Sequence, residues 1–123
     1  MTPVHRMDSG VVILTEDAAL TRVMAFDALI EAEFRVMEAI EAEEALGLLR
    51  SQADDVELLI TDIHMPGPID GLELARQVHR QWPWIMLLIV SGQVQPTSAE
   101  MPVGSHFLSK LYDPNHMVAR VQE

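Results

Sequence analysis

The chain has 123 residues, enough for one domain around a single core and too few for two. Hydrophobic residues make up 49% and charged ones 22%, which excludes a disordered chain; with no cysteine, a disulfide framework and a cysteine-ligated metal are excluded too, and a reducing cytoplasm is the expected setting. The formal net charge of −11, with no basic cluster, leaves this chain alone without the positive charge that nucleic-acid phosphates require.

Met1 to Gly10 is polar, carries a single Arg and has no apolar run behind it suited to export. It is expected to be a flexible segment ahead of one folded domain, 11–123. From there short apolar runs alternate with segments of helical periodicity, the mark of a βα series on a parallel sheet. Val11-Val12-Ile13-Leu14 is apolar at consecutive positions, as a strand buried on both faces should be, and it ends at Thr15-Glu16-Asp17. Leu20, Val23, Phe26 and Ile30 then recur at helical spacing and outline a first helix with its apolar stripe. Phe34 to Met37 is a short strand candidate, and Ala42, Ala45, Leu46 and Leu49 outline a second helix. A third strand runs Val56 to Ile60, broken by Thr61-Asp62 and the turn-rich Met65-Pro66-Gly67-Pro68.

Asp70-Gly71-Leu72-Glu73 reads as a capping box opening a third helix, with Leu74, Val78 and Trp82 along one face. Trp82-Pro83-Trp84 stops and plugs that helix, and Ile85 to Val90 is expected as the central fourth strand. That run is the longest apolar stretch and falls far short of a membrane span, so no membrane association is expected. Gln93 to Ser105 contains Pro96, Pro102 and Gly104 and no apolar stripe, which opposes a full fourth helix. His106 to Ser109 suits a fifth strand, and Asp113-Pro114 suits a final helix start, with Asp as cap and Pro at the first helical position. The expected fold class is α/β: a flavodoxin-like, doubly wound, five-stranded parallel sheet, (βα)₅ with a shortened or irregular fourth helix.

In such a sheet, ligands sit beyond the carboxyl ends of the strands, beside the point where strand order reverses. Here the first strand ends in Glu16-Asp17, the third in Asp62, the fourth in Ser91 and the fifth in Lys110. Two like charges about 4 Å apart repel by roughly 4 kcal/mol at an effective dielectric of 20. A hard divalent cation removes that cost, and Mg²⁺ accepts a few carboxylates while keeping waters and taking phosphate oxygens. Asp62 would be the nucleophile, Ser91 a hydrogen-bond donor to a phosphoryl oxygen, and Lys110 the neutralising cation. Phosphoryl transfer needs mainly positioning and charge stabilisation, and this set of groups offers both.

Thr15-Glu16-Asp17, Leu59 to Gly67, Ile69 to Leu74, Val90-Ser91-Gly92 and Phe107-Leu108-Ser109-Lys110 stand in the order found in receiver domains of two-component response regulators. The chain resembles that family from Val11 onward. The resemblance implies Asp62 as phosphoacceptor, Asp17 as direct ligand of Mg²⁺ (or Mn²⁺), Glu16 as its neighbour acting through water, and the His64 backbone carbonyl as a third protein ligand. It implies Ser91 as the hydroxyl that moves toward the phosphoryl group, Phe107 as the aromatic switch and Lys110 as the phosphate-pairing cation. It also implies a sensor histidine kinase or histidine phosphotransfer protein as donor, docking on the first helix, and a downstream protein as output. A homodimer remains open. Such a domain is a phosphoacceptor in signalling rather than an enzyme, taking part only in its own phosphorylation and dephosphorylation.

Three departures stand out. Leu111 follows Lys110 where the family usually has a cis proline; a non-proline cis bond costs about 2.5–4 kcal/mol, so a trans bond and a less firmly aimed Lys110 are expected. The shortened segment between Ser91 and Lys110 implies a remodelled output and dimer surface, and Pro68 looks like an added loop residue. Singly, Glu16, Asp17 and Asp62 read as capping and turn carboxylates; the combination with Ser91 and Lys110 sets them apart. Phe107 reads equally as a core strand residue, and the five histidines lack paired metal-ligand spacing. The rival function is an interaction module on this fold that signals without phosphorylation. A small phosphatase or flavin carrier is disfavoured, since no Gly-rich phosphate loop follows the first strand.

Overall fold

A computed structural model describes residues 10–92, 96–109 and 114–122. Its elements are β1 (Val11–Thr15), α1 (Ala19–Glu31), β2 (Arg35–Ala39), α2 (Ala42–Gln52), a 3₁₀ turn at Ala53–Asp55, β3 (Val56–Asp62), α3 (Gly71–Gln81), β4 (Met86–Ser91), β5 (His106–Ser109) and α4 (Pro114–Gln122). The strands form one five-stranded parallel sheet in the order β2-β1-β3-β4-β5. The chain thus moves outward from β1 to β2, returns across β1 to β3 and continues to β5, so strand order reverses between β1 and β3.

Both faces of the sheet are covered. Ile13, Leu59 and Ile89 pack with Ala45, Leu46, Leu49, Leu74 and Val78 of α2 and α3. On the other face Val12, Leu14, Leu58, Ile60, Leu88 and Val90 pack with Ala25 and Leu29 of α1 and Met117 of α4. Double burial explains why the inner strands read as continuous apolar runs. Of the segment expected to be flexible, 1–9 lie outside the described residues and Gly10 is buried.

Several elements differ from the sequence reading. Strand β3 does not break at Thr61 but continues through Asp62, because Thr61 and Asp62 pair with Ile89 and Val90 of β4. The centre of the sheet is β3, while β4 lies between β3 and β5. Helix α1 forms where expected, but most of the stripe drawn for it faces outward: Leu20, Val23 and Ile30 are 74%, 49% and 45% exposed, and only Phe26, half-buried, packs against the core. Its buried residues are Ala25 and Leu29. The helix ends where Glu33 enters the left-handed region at φ 73°, with Glu33 N–H donating to the Ile30 carbonyl and Phe34 N–H to that of Leu29.

The capping box on α3 is half used. Asp70 Oδ1 accepts from the Glu73 amide at 2.9 Å. The Glu73 carboxylate turns instead to Gln77, Arg76 and Arg80. The hydrogen bond from Gln77, and then those guanidinium groups, hold its pKa below the usual carboxylate value. Trp82 caps α3 and packs on the core, whereas Trp84 is exposed. Between β4 and β5 the described residues 96–105 form turns and no helix, tied to α3 by Arg76 Nη2 donating to the Glu100 carbonyl at 3.0 Å.

Candidate functional site

Glu16 and Asp17 follow β1 directly, and Asp62 closes β3. The two strands are neighbours, with Thr15 opposite Thr61, so the acidic residues emerge at the same end of adjacent strands. Each of Glu16, Asp17 and Asp62 offers a carboxylate oxygen, and those oxygens lie within 4.8 Å of one another. Glu16 is 3% and Asp62 6% exposed, whereas Asp17 faces solvent. Three clustered carboxylates, two of them buried, are costly as bare anions. An all-oxygen donor set open on one side fits a hard cation such as Mg²⁺, which binds one or two carboxylates and keeps several waters.

The loop carrying Glu16 and Asp17 is pinned from several directions. The Glu16 amide donates to the Ala39 carbonyl at 3.0 Å. Its carboxylate Oε2 accepts from the Ala18 amide at 3.1 Å, at a helix start with no side-chain cap of its own. Arg22 reaches back from α1: Nη1 donates to the Glu16 carbonyl at 2.9 Å and to the Asp17 carbonyl at 3.4 Å. Its Nε pairs with Glu38 Oε1 on β2 at 3.3 Å.

The backbone around Asp62 is equally constrained. The buried Thr61 hydroxyl donates to the Asp62 carbonyl at 2.9 Å. The Ile63 amide donates to the Val90 carbonyl at 3.1 Å, and the Gly71 amide to the Ile63 carbonyl at 2.8 Å. Ser91 is buried at the end of β4, one step beyond Val90, which is the partner of Asp62, and it lies opposite Ser109 on β5. Phe107 is half-buried on β5 and packs against the α2 and α3 face of the core. His64 lies in the loop after β3 with an exposed side chain. Lys110, Leu111 and Asp113 lie outside the described residues. The structure therefore brings Glu16, Asp17 and Asp62 together and puts Ser91 on the next strand end.

The chain belongs to the response regulator receiver domain family, whose model matches residues 12–122. It is 27% identical over 120 residues to the hydrogenase transcriptional regulatory protein HoxA of Cupriavidus necator, covering 94% of this chain and 24% of that protein. It is 29% identical over 118 residues to the sensor kinase CckA of Brucella abortus, covering 94% of this chain and 12% of that protein. The chain thus spans a quarter or less of the length of these relatives. Among solved structures, the receiver domain of a hybrid histidine kinase CckA matches with TM-score 0.79 and 30% identity, covering 92% of this chain and 96% of that one. A response regulator receiver protein from Sinorhizobium medicae matches with TM-score 0.84 and 21% identity, covering 95% and 97%, a likeness in fold.

Three contributions escape sequence reasoning. Arg22 and Thr61 act on main-chain carbonyls, and Gly71 acts by having no side chain. The only signals available were a cation five residues after Asp17, at the start of a helix with no other cation, and a glycine directly after the Asp70 cap.

Proposed function

We propose that this receiver domain accepts a phosphoryl group on Asp62 from the phosphohistidine of a sensor histidine kinase or histidine phosphotransfer protein, in a Mg²⁺-dependent relay in the cytoplasm. The convergence of Glu16, Asp17 and Asp62 at one edge of the sheet carries this reading. An Asp62 carboxylate oxygen attacks phosphorus, the P–N bond to the donor imidazole breaks, and the imidazole leaves with that electron pair. Asp17 and Asp62 would hold the metal, with Glu16 beside them and the His64 carbonyl as a further ligand; bound Mg²⁺ would neutralise charge on the carboxylates and phosphoryl oxygens. Ser91 and Lys110 take the roles of phosphoryl-oxygen donor and counter-charge.

The acyl phosphate adds roughly −1.5 to −2 charges, by analogy with other phosphorylated side chains. Ser91 and Phe107 then bias the packing of β5 and the adjoining surface, which presents the altered face to a downstream protein. Leu20, Val23 and Met24, exposed on α1 beside the acidic edge, suit an apolar docking face for the phosphodonor. Among the described residues no helix is long and apolar enough to cross a membrane.

The test is intact mass after incubation with acetyl phosphate. A gain of one phosphoryl group that requires Mg²⁺ and disappears in Asp62→Asn is expected. Partner binding that is indifferent to both Mg²⁺ and Asp62→Asn would instead favour a module that signals without phosphorylation.

A further inference from the structure

We infer that Arg22 is a positioning residue for the cation site: its guanidinium clamps the β1–α1 turn so that Glu16 and Asp17 are held ready to receive Mg²⁺. The inference rests on the metal-dependent reading above and extends it to a group that itself touches neither metal nor phosphate.

Three contacts converge on this one side chain. Its Nη1 donates to the successive carbonyls of Glu16 and Asp17, at 2.9 and 3.4 Å, while Nε pairs with Glu38 at 3.3 Å. The first two fix the main chain of both acidic residues; the third anchors the guanidinium to β2, the strand that also receives the Glu16 amide through the Ala39 carbonyl. The turn is thereby tied to α1 and β2 at once.

Local helix energetics argue against an incidental placement. α1 has no acidic residue in its first turn, its N-cap Ala18 offers no side-chain cap (the Glu16 carboxylate takes the Ala18 amide instead), and Arg22 sits just past its start, where the helix dipole favours an anion over a cation. The contacts with the turn offset that unfavourable setting. Lysine could not substitute, because a single ammonium lacks the planar fork that addresses two carbonyls and a carboxylate together. Mg²⁺ demands near-octahedral geometry and gives up water reluctantly, so carboxylates held in place before binding matter more to it than mobile ones. Charge alone predicts the opposite effect, since a guanidinium near the site repels a cation. The two influences of Arg22 therefore differ in sign.

Isothermal calorimetry with Mg²⁺ on the intact chain separates them. Arg22→Ala is expected to raise the Mg²⁺ dissociation constant about 10-fold, in the range seen when groups orienting metal ligands are removed. Arg22→Lys should fail to restore it, and Glu38→Gln, which keeps the guanidinium but loosens its anchor, should weaken binding to a lesser degree. In acetyl phosphate assays the Mg²⁺ concentration for half-maximal phosphorylation should rise in parallel, with the rate at saturating Mg²⁺ unchanged. Unchanged or tighter Mg²⁺ binding in Arg22→Ala, or full rescue by lysine, would overturn the clamp. If Arg22→Ala does not fold, Arg22→Lys and Glu38→Gln, checked by circular dichroism, decide the matter by the same criteria. A wild-type protein that binds Mg²⁺ yet is never phosphorylated would sink the phosphoacceptor reading alone, and the calorimetric comparison would still judge Arg22.

Discussion

Gly71 shows how closely the candidate phosphoacceptor is packed. A Cβ built there would overlap the Asp62 carbonyl oxygen and lie 2.7 Å from the Asp62 carbonyl carbon and 3.0 Å from Ile63 Cα. All three obstacles are main chain, so no rotamer change relieves them; the end of β3 or the start of α3 must move. Gly71→Ala is expected to cost about 1–3 kcal/mol, as overpacking does elsewhere, and to slow phosphorylation by displacing Asp62. Urea unfolding together with intact mass after acetyl phosphate treatment measures both, and a variant unchanged in each would refute the close-packing account. The three carboxylates were legible from the sequence because strand ends are marked by the switch from apolar run to polar residue. Arg22, Thr61 and Gly71 were not, since their contacts around the acidic residues are with main chain, which leaves no trace in side-chain spacing.

Among the elements, α1 separates existence from orientation. Its presence followed from apolar periodicity, but Leu20, Val23, Met24, Ala25, Phe26, Ala28, Leu29 and Ile30 surround the axis too evenly to fix which side turns inward. Packing against α4 and the sheet selected Ala25 and Leu29 and left the larger Leu20 outside. Leu29→Ala should therefore lose about 2–5 kcal/mol in chemical denaturation, a fully buried truncation. Leu20→Ser should stay within about 0.5 kcal/mol of wild type. Comparable losses from the two would return Leu20 to the core. The β4–β5 connection was legible in a negative sense: its prolines and missing stripe foretold the turns seen at 96–105. Its attachment to α3 through Arg76 and the Glu100 carbonyl was not, again because the acceptor is main chain.

For the molecule as a whole, a net charge of −11 means that cations stabilise it in two ways. Any salt screens diffuse self-repulsion, but only a bound ion contributes by mass action, about 2.7 kcal/mol at 100 times its dissociation constant. Mg²⁺ should raise the thermal midpoint well above NaCl of equal ionic strength. Equal shifts from the two salts would indicate screening without a specific site. The five parallel strands and the two-sided core were readable from the alternation of strands and helices, whereas the inner position of β3 was not, because apolar content does not distinguish β3 from β4.

That inner position bears on how the proposed phosphoryl signal would leave Asp62. Asp62 ends the middle strand of the sheet, hydrogen-bonded between β1 and β4 and covered on both faces. Such strands surrender their amide protons to deuterium only when the whole domain opens, while edge strands exchange through smaller fluctuations. If Asp62 is phosphorylated as proposed, the added charge would enter at the middle strand of the sheet rather than at its edge. Under the proposed phosphorylation, the readout would fall to the edge of the sheet, the four residues of β5 and the turns before them, where fewer backbone hydrogen bonds have to open for the surface to change.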